Sequence, residues 1–136
     1  MKIAVVDGQG GGLGKSIVEK VRSEIKDDIE IIALGTNSLA TSNMLKAGAN
    51  AGATGENAVK VMSKKVDIII GPIAILIANS MMGEITPVMA EAISTSEARK
   101  IILPLNRCNV YIAGTQELNI NQMLDYIIEE INKVRK

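Results

Sequence analysis

The 136-residue sequence predicts a three-layer α/β/α domain on a mainly parallel, five-stranded sheet. Three observations carry that expectation. Short apolar runs alternate with longer segments of helical period, the β, α, β, α order of parallel strands joined by crossovers. The runs are apolar almost throughout, as strands covered on both faces should be. The first run also opens directly into a glycine-rich turn and a helix, at Gly8-Gln9-Gly10-Gly11-Gly12-Leu13-Gly14-Lys15-Ser16. The length suits a single domain over residues 1–136, and 47% apolar residues are enough for a sizeable core.

The elements follow in order. The first strand covers residues 2–7, and the helix after the turn carries Leu13, Ile17, Val18, Val21 and Ile25 on one stripe. A second strand, residues 30–34, ends in Gly35-Thr36-Asn37. Asn37 or Ser38 caps a helix over residues 38–47, closed by Gly48, with Leu39, Met44 and Leu45 turned inward. The small-residue stretch at 49–55 reads as a brief strand or as a turn packed where large side chains have no room. A helix over 56–63 and a third strand over 66–70 lead to Gly71-Pro72. Proline suits a first helical position, so a helix over 72–82 is expected, apolar almost all round and needing cover on several sides. A homodimer through Ile77, Met81 and Met82 is one way to cover it. Thr86-Pro87 starts a helix to residue 94; strands at 100–105 and 110–113 follow, and a last helix carries Ile120, Met123, Leu124, Ile127, Ile128, Ile131 and Val134.

Composition removes several function classes. Fifteen basic residues balance fifteen acidic ones, and with only Tyr111 and Tyr126 for aromatic side chains there is neither a basic face nor a stacking platform for nucleic acid. The most apolar stretch, residues 68–82, is too short for a membrane span and is broken by Gly71-Pro72 and Asn79-Ser80. One cysteine, Cys108, and no leader-like start point to the cytoplasm. Histidine is absent, which removes the usual general base and the commonest metal ligand; no metal site is expected and no catalytic residue is assigned.

The turn after the first strand carries the functional reading. A helix that starts there aims unpaired N–H groups and the positive end of its dipole into the turn, and glycines let a ligand approach the backbone. The common dinucleotide spacing fits Gly8 and Gly10 but then meets Leu13. The ATP-loop spacing fits Gly14-Lys15-Ser16, but its first glycine falls on Gln9. Gly8, Gly12 and Gly14 resemble without a gap the Gly-x-x-x-Gly-x-Gly turn of short-chain dehydrogenases, which in that family holds the pyrophosphate of a nicotinamide dinucleotide. That family's Tyr-x-x-x-Lys is missing, since Thr115 and Glu130 stand four residues after the two tyrosines. Gly35-Thr36-Asn37 also replaces the acidic residue expected after the second strand, so NADP is expected to be tolerated better than NAD.

The ligand should sit beyond the carboxyl ends of the strands. Gly8, Gln9, Gly10, Gly11, Gly12, Leu13, Gly14, Lys15 and Ser16 should therefore meet Gly35, Thr36, Asn37, Gly71, Pro72, Asn106 and Arg107 in one crevice. Lys15 and Arg107 are candidate phosphate partners, and Asp7 is expected to bond the amides of the turn. Asn43, Asn50 and Asn57 line a sugar pocket or cap turns.

Read end to end, the segments DGQGGGLGKS, IIALGTNSLATSNMLKAGAN, GATGENA, VDIIIGP, ANSMMGEITP, MAEAI and LPLNRCN resemble a small uncharacterised bacterial family, domain of unknown function 3842. The likeness implies a compact cytoplasmic protein of this size and brings no activity with it. The expectation is a Rossmann-like or flavodoxin-like domain that binds a phosphate-bearing small molecule, a nucleotide or a dinucleotide such as NADP or NAD. The alternatives are a non-enzymatic dimeric interaction or regulatory module whose glycine turn is structural, and a P-loop-like ATP or GTP hydrolase.

Overall fold

The computed structural model describes residues 1–26, 28–105, 109–115 and 118–135. The expected site residues Asn106 and Arg107, and Cys108, lie outside the described residues. The chain runs β1 (Lys2–Asp7), α1 (Gly12–Glu24), β2 (Glu30–Gly35), α2 (Ser38–Lys46), β3 (Ala51–Thr54), α3 (Glu56–Met62), β4 (Ile68–Pro72), a short 3-10 turn (Ile73–Leu76), α4 (Pro87–Ser94), β5 (Arg99–Leu103) and α5 (Ile120–Arg135).

All sheet pairings are parallel, in the order β3-β2-β1-β4-β5. That is the Rossmann order of winding, not the flavodoxin order. The chain winds outward from β1 through β2 to β3, then returns to the other side of β1 for β4 and β5, so the order reverses between β1 and β4.

Alternation along β1 divides the core into two layers. Ile3 and Val5 face Ile17, Val18 and Val21 of α1 together with Ile127 and Ile131 of α5. Ala4 and Val6 face Ile75, Met89 and Ile93 on the opposite side. Both sets are buried, which explains a first strand with no polar alternation. Each fully buried branched side chain contributes about 1.5–3 kcal/mol from burial.

Two elements differ from the sequence expectation. The segment expected as a helix over 72–82 forms only the 3-10 turn Ile73–Leu76; Pro72 instead ends β4, paired with Leu103. Residues 73–77 are apolar at every position, so they carry no helical period to read. Beyond them Asn79, Met81 and Met82 adopt left-handed backbone, and Ser80 Oγ donates to the Ala74 carbonyl at 2.5 Å, folding the chain back on itself. The helical face proposed for a homodimer is therefore not formed.

The fifth strand is Ala51–Thr54, not 110–113. It lies so close under α2 that a Cβ on Gly52 would meet Thr41 Cγ2 at 2.8 Å and Leu45 at 3.1 Å, which is why small residues are needed there. Residues 110–113 join no ladder, and Thr115 Oγ1 donates to the Ile112 carbonyl at 2.6 Å as the chain turns. On α2, Met44 is buried as expected, whereas Leu39 and Leu45 are 59% and 40% exposed. No helix of the described residues is long and apolar enough to cross a membrane.

Ile70 lies in the middle of β4 with no exposed surface, against the α1 and α5 layer. Ile70→Ala should lower the unfolding free energy by about 2–5 kcal/mol in urea titration. Glu19→Ala, on the exposed face of α1, should change it by less than about 0.5 kcal/mol.

Candidate functional site

The site begins where β1 ends. Asp7 is a buried acidic residue, 4% exposed, and its carboxylate accepts from the Gly8 amide at 2.8 Å and from the Gly14 amide at 2.6 Å. One oxygen fixes the start of the turn and the other fixes the first turn of α1. The Gly11 amide donates to the Gly8 carbonyl at 2.9 Å, and Gly11, at φ +72, takes the left-handed conformation that glycine adopts without strain. The Gly11 carbonyl then accepts the first helical bond from Lys15 at 2.9 Å.

Side chains from elsewhere clamp the same loop. Gln9 sits in left-handed backbone, and both its backbone groups are held: the amide donates to Glu84 Oε1 at 2.8 Å and the carbonyl accepts from Asn37 Nδ2 at 2.9 Å. Asn43 Nδ2 donates to the Gly10 carbonyl at 2.8 Å. A non-glycine residue in this conformation costs about 1–3 kcal/mol and persists only where its surroundings over-determine it. After these bonds, the amides of Gly10, Gly12 and Leu13 have no partner among the described residues.

Glu84 is the second carboxylate of the site. Besides the Gln9 amide, its Oε1 accepts from Thr36 Oγ1 at 2.5 Å and from Asn37 Nδ2 at 3.0 Å. These donors hold its carboxyl below the ordinary value of 4.5, Thr36 contributing most, against a smaller opposing effect of burial. The expectation that NADP is tolerated better than NAD rested on the missing carboxylate after β2. Glu84 supplies one at that place from the segment before α4, which removes the basis for the preference.

Beside the turn lies a cleft of about 790 Å³, walled by Asp7, Gly8, Gln9, Gly10, Gly11, Gly12, Leu13 and Ser16, by Pro72 and Ala74 after β4, and by Met81, Met82, Leu105 and Ile120. It sits at the point where strand order reverses, between the ends of β1 and β4. One wall is backbone amide and carbonyl; the other is aliphatic and thioether.

Of the residues expected in one crevice, Gly8 to Leu13, Ser16 and Pro72 are brought together here. Gly14 is not on the cleft: a Cβ there would meet Met44 Sδ at 2.5 Å and Asp7 Cβ at 2.9 Å, so this glycine lets α1 pack. Gly71 does the same for β4, where a Cβ would lie 2.6 Å from the Val6 carbonyl oxygen. Gly35, Thr36 and Asn37 lie on the far side of the turn, where Thr41 crowds Gly35 and Glu84 engages the other two. Lys15 points away, 56% exposed and 4.0 Å from Glu19. Asn50 accepts from the Ile31 amide at 2.8 Å and from Arg22, well away from the cleft.

The whole chain can now be set beside known proteins. Residues 2–136 match the domain of unknown function DUF3842. The chain belongs to that family. No curated protein matches it in sequence. Among solved structures, it is similar at a TM-score of 0.42 and 11% identity to a dodecameric FMN-dependent UbiX-like decarboxylase from Escherichia coli O157:H7, over 98% of this chain and 93% of that one. The fold assignment rests on the strand order itself.

Sequence reading missed Glu84, Ala74, Met81, Met82, Leu105 and Ile120 as site residues. For the first four the usable signal was the cluster Asn79-Ser80 and Gly83, turn formers inside a stretch read as helix. Two outcomes follow. Asp7→Ala, which orphans the Gly8 and Gly14 amides, should lower the unfolding free energy by about 1–3 kcal/mol in urea titration. Glu84, its carboxyl held below the ordinary value, stabilises the fold fully above pH 4.5 and loses that contribution as pH falls below it. Wild type should therefore melt above Glu84→Gln near neutral pH, with the gap closing in acid.

Proposed function

We propose that this domain binds a phosphate-bearing nucleotide in the cleft, with phosphate on the amides of Gly10, Gly12 and Leu13 and the base or ring system against Pro72, Met81, Met82, Leu105 and Ile120. The observation that carries the reading is what the glycines are for. Gly8, Gly11 and Gly14 are accounted for by the protein, through close neighbours at Met81, Ala40 and Met44 and through the left-handed backbone of Gly11. Gly10 and Gly12 are not: neither is left-handed, and a Cβ on either would meet nothing within 4 Å. Neither packing nor a left-handed backbone asks for glycine at these two positions, so two glycines facing open space call for a reason outside the protein. Close approach of an anion to their amides is such a reason.

A structural turn in an interaction module explains Gly8, Gly11 and Gly14 but leaves Gly10 and Gly12 without a cause. The hydrolase reading is weakened by Lys15, whose side chain lies against Glu19 and not on the cleft. The reading assigns binding and no reaction.

Gly12→Val supplies the test, because its backbone suits an ordinary residue and the new side chain enters open space. Wild type should show a saturable rise in melting temperature with one of flavin mononucleotide, nicotinamide mononucleotide or AMP. The variant should keep its fold and lose at least about tenfold in affinity. Equal affinity in both proteins would refute the placement.

A further inference from the structure

We infer that the cleft admits a mononucleotide and excludes a dinucleotide, and that Glu84 sets this limit. The inference rests on the nucleotide reading above. In a sheet wound outward from the middle, a dinucleotide straddles the point where strand order reverses: pyrophosphate on the first turn, one nucleoside over β2, the other over β4 and β5. Here the β2 side is already filled by the protein. Glu84 Oε1 takes up the Thr36 hydroxyl, the Asn37 amide group and the Gln9 N–H, the groups a nucleoside over β2 would meet. The same segment lies directly on the turn, since a Cβ on Gly8 would sit 2.6 Å from Met81 Sδ and 3.0 Å from Glu84 Oε1.

The cleft lies on the other side. Among the described residues, the cleft takes its walls from the turn, from Pro72 and Ala74 after β4, and from Met81, Met82, Leu105 and Ile120, with none from β2 or α2. Nor is the covering segment loosely tethered. Ser80 Oγ donates to the Ala74 carbonyl at 2.5 Å, Glu84 holds the Gln9 amide at 2.8 Å, and Ile85 is fully buried. Opening it would break the bonds of Glu84 to Gln9, Thr36 and Asn37 and lift the Ile85 side chain out of the core, so the β2 side stays shut to a ligand that does not repay that cost. A carboxylate there also repels a 2′-phosphate, which sets NADP behind NAD among dinucleotides.

Calorimetric titration with two matched pairs tests this: flavin mononucleotide against FAD, and nicotinamide mononucleotide against NAD. Each dinucleotide is its mononucleotide plus AMP, so the comparison isolates the β2 side. Wild type should bind one mononucleotide at least about tenfold more tightly than its dinucleotide, and Glu84→Ala should bring the two to parity. Thr36→Ala, which removes one donor and leaves the carboxylate, should narrow the gap in the same direction. Wild-type preference for the dinucleotide, or parity, overturns the exclusion while leaving nucleotide binding standing. An unchanged preference in folded Glu84→Ala overturns the role of Glu84, and so does loss of dinucleotide affinity, which would make Glu84 a ribose acceptor. Binding of none of the four, nor of AMP, overturns the nucleotide reading itself.

Discussion

The buried Asp7 carboxylate fixes the geometry on which the rest of the site depends. It ends the central strand, and its two oxygens take the amides of Gly8 and Gly14, six residues apart in sequence and brought together only if the intervening chain makes one particular turn. Hydrogen bonds to a charged acceptor contribute about 1.5–3 kcal/mol each, more than a neutral bond, and leaving those amides buried without partners would cost a similar amount. The turn is thus held by β1, not by whatever binds in it. A preformed turn lets a ligand bind without ordering the loop, which lowers the entropic cost of association.

That constraint also divides the glycine run into two kinds of position. Where the turn is pressed against the protein, at Gly8, Gly11 and Gly14, a side chain would collide with Met81, Ala40 or Met44. Where it faces the cleft, at Gly10 and Gly12, nothing of the protein comes near. The amides left unpartnered among the described residues belong to the second group and to Leu13 beside it. Packing demand and hydrogen-bond demand are independent properties of the backbone, and they single out the same short stretch.

Much of this was legible in the residues. Buried parallel strands announce themselves as unbroken apolar runs, so β1, β2 and most of β4 and β5 could be read, and the stripe from Ile120 to Val134 could hardly be anything but α5. The glycine turn was legible too, including Asp7 as its acceptor. What failed was reading by period where no period exists. Residues 73–77 are apolar at every position and β3 is four small residues, so neither shows a stripe or an alternation. Glu84 was illegible for a different reason: its partners Gln9, Thr36 and Asn37 are between 47 and 75 residues away, and only the sheet order brings them within 3.0 Å.

The charge around the turn decides what kind of ligand the cleft suits. A helix N-terminus carries roughly half a positive charge, worth about 0.3–1 kcal/mol to a nearby anion in an exposed setting. Asp7 and Glu84 already draw on it through the amides of Gly8, Gly14 and Gln9, so a bare phosphate would find three amides and two carboxylates close behind them. These carboxylates offset part of what the helix end offers an anion. The remaining affinity has to come from the opposite wall, where Leu13, Pro72, Met81, Met82, Leu105 and Ile120 offer apolar surface, Met82 at 96% exposure. Apolar burial of about 100 Å² at roughly 25 cal/mol per Å² yields about 2.5 kcal/mol, more than the helix end supplies. On the proposed nucleotide reading, ligand choice belongs mainly to the ring system, and the phosphate serves to orient it on the turn.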